Sequence, residues 1–131
     1  MPLRLALVVA GGAIGTAARL GLGLALPLPT ASGLGAVPWA TFLANIVGAF
    51  LIGVLAARLP GSSAARIFLG TGVLGGFTTY SALTVGAVSL WHAQPLLAAG
   101  YAVVSVVLGI GAAAFGLDLA RPRSAHTQAH G

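Results

Sequence analysis

The sequence predicts an all-α membrane protein with four transmembrane helices, the third of them broken. Three observations predict it. Hydrophobic residues make up 58% of the 131 and charged residues 5%, with mean hydropathy +1.04, whereas soluble domains are about a quarter charged. Residues 5–26, 37–57, 67–91 and 95–117 each reach the roughly 20 apolar residues that crossing hydrocarbon requires. Uncharged residues 67–91 also contain Gly75-Gly76-Phe77-Thr78-Thr79-Tyr80-Ser81, a run poorly suited to continue a helix. Each glycine costs about 1 kcal/mol relative to alanine in a helix, and β-branched threonines add a smaller penalty. In hydrocarbon, non-helical backbone survives only where protein buries it or it lines a polar cavity. The plainer alternative is a glycine-softened packing surface between helices.

The first span, residues 5–26, carries Gly11, Gly12 and Gly15. The Gly11-x-x-x-Gly15 pair, like Gly72-x-x-x-Gly76 in the third span, lets helix backbones approach closely and names no partner. Arg19 lies two-thirds along this span, where insertion scales charge at least roughly 2.5 kcal/mol. It either snorkels to the outer interface or faces a wet vestibule, because no acid precedes Asp118. An unpaired arginine suits attraction of an anion. In the second span Thr41, Asn45 and Gly48 share one helical face, and Tyr101, Ser105 and Gly109 repeat that pattern in the fourth. Such residues hydrogen-bond neighbouring helices, or else their amide and hydroxyl donors replace water around a small anion.

Connections fall at residues 27–36, at residues 58–66 around Pro60-Gly61, and in a short turn at residues 92–94. Residues 1–118 thus form one membrane domain, and residues 119–131 read as a polar, disordered tail. Arg4, Arg58, Arg66, Arg121 and Arg123 fall on one side of a four-span topology, while the first and third loops carry no Lys or Arg. The positive-inside rule places both termini in the cytoplasm and predicts a single insertion orientation in the cell membrane.

Several functions are excluded. The high isoelectric point comes from six basic residues, all arginine, flanking apolar segments without a basic stripe, which argues against nucleic acid. With no cysteine there are neither disulfides nor thiolate metal sites. No nucleophile–base pair is recognisable, and the His126 and His130 pair lacks apolar support, so an enzyme is not expected. Small proton-coupled multidrug exporters match in length but rely on a membrane carboxylate, which this chain lacks before Asp118.

The run Gly11-Gly12-Ala13-Ile14-Gly15-Thr16-Ala17-Ala18-Arg19 resembles the GGxxGxxxR signature of the Fluc/CrcB family of bacterial fluoride channels. Thr41-Phe42-Leu43-Ala44-Asn45-Ile46-Val47-Gly48 is similar to that family's second-helix motif, and Gly75 to Ser81 to its broken third helix. The resemblance covers all four spans in order. It implies a fluoride-specific channel built as an antiparallel, inverted dimer in the lipid bilayer, exporting fluoride passively and so lowering its toxicity. It also implies a structural, untransported sodium ion (Na+), held by the backbone carbonyls of Gly75 and Thr78 from both subunits. For the anion pathway it points to Asn45, Tyr80, Thr41, Tyr101 and Ser105, with Arg19 in the vestibule.

This chain departs from the family pattern at four places: Tyr80 replaces the usual Phe, Leu83 a second Phe, Gly86 an acid and Gly109 a serine. An inverted homodimer needs a chain that inserts both ways, whereas the flanking arginines here stand five to none. The expectation is therefore an obligate heterodimer with an oppositely oriented paralogue, one of its two pores impaired. The alternative is a nonconducting structural subunit of such a heterodimer.

Overall fold

The computed structural model of the chain describes residues 1–30 and 32–122. Helix α1 is Pro2–Ala25, opened by a proline whose missing N–H has no helical partner to lose. Helix α2 is Trp39–Arg58. Helix α3 covers residues 64–77, starting behind Ser63, whose Oγ accepts the Arg66 N–H at 3.2 Å. Helix α4 is Tyr80–Ala93 and α5 is Pro95–Ala120. With α3 and α4 taken as one interrupted span, 64–93, there are four segments long and apolar enough to cross a membrane.

The irregular segments are shorter than expected. Within residues 27–36, Gly33–Ala36 winds into a 3₁₀ turn that starts from Gly33 at φ +65°, a conformation glycine adopts without steric cost. The Gly33 N–H donates to Gln94 Oε1 at 3.1 Å, tying the first loop to the third. The turn expected at 92–94 shrinks to Gln94, because His92 and Ala93 complete α4. Of the tail expected over 119–131, Leu119 and Ala120 belong to α5 and residues 123–131 lie outside the described residues.

Packing runs through glycine. α1 lies against α3, and a Cβ added at Gly11 would come within 2.9 Å of the Gly72 Cα. One added at Gly15 would stand 2.9 Å from the Phe77 nitrogen. The glycine pairs of the first and third spans are thus partners of each other. A second crossing joins α2 to α5, where a Cβ at Gly53 would lie 2.9 Å from the Leu117 nitrogen and one at Gly116 would lie 3.1 Å from the Phe50 carbonyl carbon. Lipid removes the hydrophobic incentive for helices to associate, so close backbone contact and dispersion take its place. α4 rests on α5 over a small core of Val37, Leu83, Leu90, Ala98 and Tyr101.

Three arginines hold one end of the bundle. Arg58 Nε donates to the Ala120 carbonyl at 2.6 Å, and Arg66 Nη1 to the Leu59 carbonyl at 3.0 Å. Arg121 pairs with Asp118 at 3.0 Å. Each cation sits at a helix C-terminus, where unsatisfied carbonyls and the helix dipole favour positive charge.

Gly15→Ala should destabilise the protomer by about 1–3 kcal/mol, the usual cost of overpacking. Gly23, with open space around it, should accept alanine without loss. Thermal unfolding of the two variants in detergent micelles measures the difference.

Candidate ion site at the broken helix

The third span departs from regular helix twice. Ile67–Leu74 is π-helical, its wider turn ending where the Gly75 N–H donates back to Gly70. Such insertions within helices concentrate at functional sites. Gly75–Phe77 then returns to α geometry. The break itself is two residues, Thr78 (φ −82°, ψ 152°) and Thr79 (φ −152°, ψ 121°), both extended. Sequence reasoning placed the interruption in the run Gly75 to Ser81 and weighted its two glycines above its two threonines; the glycines themselves stay helical. Gly76 instead serves the close approach of α1: a Cβ there would lie 3.1 Å from the Gly12 Cα. The β-branched threonines, comfortable in extended backbone, supply the interruption.

Each end of the break finds substitute partners. The Thr78 N–H and its Oγ1–H both donate to the Leu74 carbonyl, at 2.9 and 2.8 Å. Asn45 clamps the next residue through the peptides on either side of it: its Oδ1 accepts the Thr79 N–H at 2.8 Å and its Nδ2 donates to the Thr79 carbonyl at 3.0 Å. Thr79 Oγ1 caps α4 by accepting the Ala82 N–H at 3.2 Å. From α1, Arg19 Nε donates to the Gly76 carbonyl at 3.3 Å.

These diversions have a selective result. In an unbroken helix the Gly75 and Thr78 carbonyls would accept the amides of Thr79 and Ala82, four residues on. Both amides are spent elsewhere, on Asn45 and on the Thr79 hydroxyl. Two oxygens suited to a hard cation are thereby released, with no charged side chain among them.

Beside the break an open groove of ≈ 260 Å³ is lined by Asn45, Thr78, Thr79, Tyr80 and Leu83, among others. Tyr80 is 78% exposed and projects away from the protomer. Thr41, one turn before Asn45 on α2, is half-buried and does not line the groove. Tyr101 and Ser105 form a separate, buried pair on α5. The Ser105 hydroxyl donates to the Tyr101 carbonyl at 2.6 Å, which commits its one proton to its own helix. The Tyr101 hydroxyl is buried with no partner among the described residues, close to Gly86: a Cβ added at Gly86 would lie 3.6 Å from it. Arg19 reaches the break from the α1 side rather than from the groove. Gly48 makes room for the Thr78 side chain. Sequence reasoning missed Thr79, although a threonine directly before a new helix is a recognised capping signal.

An interrupted span with freed carbonyls defines a polytopic helical membrane protein of the kind that handles small ions, since irregular backbone at membrane depth belongs at such sites. Residues 6–117 match the family model described as CrcB-like protein, Camphor Resistance (CrcB). The chain belongs to this CrcB-like family. It is similar to the fluoride-specific ion channel FluC 1 of Mycobacterium bovis, with 48% identity over 112 residues and 81% of each chain covered. It is also 45% identical to the fluoride-specific ion channel FluC of Agrobacterium fabrum over 127 residues, covering 91% of this chain and 97% of the relative. The FluC of Hyphomonas neptunium matches at 44% over 125 residues, covering 88% and 93%.

Asn45→Ala should remove the partners of a part-buried donor and a part-buried acceptor at Thr79 and destabilise the protein by about 1–3 kcal/mol. Its unfolding midpoint in micelles should fall accordingly, whereas Thr41→Ala should leave it within about 0.5 kcal/mol of wild type.

Proposed function

We propose that the chain is a subunit of a fluoride-specific ion channel that lets fluoride leave the cell passively, not an enzyme. The observation that carries this reading is the extent of the match: relatives named as fluoride-specific channels are 44–48% identical across nearly all four spans. The pathway runs along the groove beside the break, where Asn45 and Tyr80 are its polar and aromatic contacts. A ring edge carries partial positive charge, so Tyr80 and amide or hydroxyl donors contact an anion weakly enough to release it. Thr41, Tyr101 and Ser105 extend the pathway, with the unpartnered Tyr101 hydroxyl its best remaining donor.

One protomer does not close this path. The groove is open and Tyr80 points outward, so a second subunit supplies the missing wall. We place it antiparallel, with the two breaks facing each other. The Gly75 and Thr78 carbonyls of both copies would then hold a structural sodium ion. Its fit rests on the two diverted amides, and the chemistry it supplies is a fixed positive centre that joins the breaks. Asn45 and Thr79 hold those carbonyls in place whether or not the ion is bound.

Both termini lie in the cytoplasm, on the side of Arg4, Arg58, Arg66, Arg121 and Arg123. The partner is an oppositely oriented paralogue. A second reading, a nonconducting structural subunit, is favoured by Leu83, which gives the groove an aliphatic wall, and by Gly109, which offers no donor.

Liposomes holding this chain, with and without its paralogue, should lose fluoride but not chloride when both are present, as read by an ion-selective electrode. Flux from neither preparation overturns the channel reading, and flux that needs only the paralogue selects the structural subunit. Asn45→Asp should slow efflux at least about a hundredfold, because a like charge about 4 Å away costs about 4 kcal/mol at an effective dielectric of 20. Cysteines added at either terminus should resist membrane-impermeant reagents in whole cells. Labelling of half the molecules would show dual insertion instead.

A further inference from the structure

We propose that Arg19 is a positioning residue that selects which carbonyls of the broken helix remain free for a cation. The inference rests on the reading of Gly75 and Thr78 as sodium ligands. The break frees four consecutive carbonyls, from Gly75 to Thr78, whereas the Thr79 carbonyl already starts the next helix. One of the four is taken up by a side chain from another helix, Arg19 on the Gly76 carbonyl, while Asn45 holds the Thr79 carbonyl at the start of α4 and the carbonyls of Gly75, Phe77 and Thr78 have no side-chain donor among the described residues. The oxygens assigned to the cation lie on either side of the one Arg19 holds.

Geometry separates the neighbours. Gly75 and Gly76 are successive residues of one turn and so differ by about 100° around the axis. Gly76 faces α1, where the Gly12 backbone would obstruct any Cβ, whereas Gly75 is exposed and a Cβ there would find nothing closer than 3.9 Å. Arg19 is on the α1 side, and the neighbouring Gly15 packs against Phe77. It is the one charged residue inside the described spans that does not sit at a helix end, and the chain's one acid, Asp118, pairs with Arg121 instead. Its charge therefore rests on a carbonyl dipole, which makes the contact a charge-assisted hydrogen bond.

Two consequences follow for cation binding. With Gly76 occupied by a cationic donor, a metal ion is kept to the carbonyls that remain, those of Gly75 and Thr78 among them, where a second subunit can complete its shell. The same bond fixes the last turn of α3 against α1, so the Gly75 carbonyl is oriented before the ion arrives. Without Arg19 the Gly76 carbonyl would be free to turn toward the ion or toward water, and the preorganised pair would be lost.

The test uses the purified assembly, titrated with sodium chloride against choline chloride, and reads both thermal unfolding and fluoride efflux. Wild type should be stabilised by sodium. Arg19→Met should raise the sodium concentration for half-maximal stabilisation about tenfold or more, as expected when a hydrogen bond to a charged group is lost. Arg19→Lys, which retains a cationic donor, should return it to within about threefold of wild type. If Arg19→Met does not fold, Arg19→Gln, with an uncharged donor, takes its place and should fall between the two. A sodium midpoint unchanged in Arg19→Met or Arg19→Gln, even with reduced efflux, overturns the positioning role. Absence of any sodium response in wild type overturns the cation site itself, and this inference with it.

Discussion

Two extended residues, Thr78 and Thr79, impose the demand that organises this protein. A helix crossing hydrocarbon satisfies its own backbone, and an interruption cannot be left to water. The solution recruits one side chain from each flanking helix, Arg19 from α1 and Asn45 from α2, together with the threonine hydroxyls. Neither long-range partner can reach unless its helix approaches α3 at close range. The glycines at 11, 15, 48, 72 and 76 make that approach possible. Close packing and the break are thus one construction: the glycines set the distances across which the polar side chains bond.

The bundle divides its labour accordingly. The α1–α3 crossing is nearly all backbone, and the α2–α5 crossing through Gly53 and Gly116 repeats the method on the other side. Side-chain packing of the ordinary kind is concentrated beneath α4, around Leu83, Leu90 and Tyr101. Large apolar side chains such as Leu20, Val85 and Ile110 stand outside, where lipid or another subunit must cover them. A protomer built this way is rigid about its break and unfinished at its surface.

Much of this was legible in the sequence. The spans followed from apolar length alone, and the grouping of Arg58, Arg66 and Arg121 at one end followed from the loop charges. What the residues could not declare was which partner each polar group would take. Asn45 reads as an amide with free donors, yet one of its N–H groups and its oxygen are spent on the backbone of a single residue, Thr79, a match that depends on the three-dimensional register of α2 with the broken span. Ser105 reads as a donor and back-bonds to its own helix. The glycines read as helix breakers because propensity scales describe isolated helices, and here packing overrides them. The π-helical turn at Ile67–Leu74 has no composition cue.

The arginines at the closed end have a further consequence. Arg58 and Arg66 each hold the carbonyl of a helix terminus, so two of the arginines that the positive-inside rule weighs also finish the fold. A lineage drifting toward balanced insertion would have to remove or relocate these residues, and each removal would expose an unsatisfied helix end. The two traits cannot be traded independently. For the heterodimer proposed above, reversion to a single self-sufficient copy would be obstructed by stability as well as by topology.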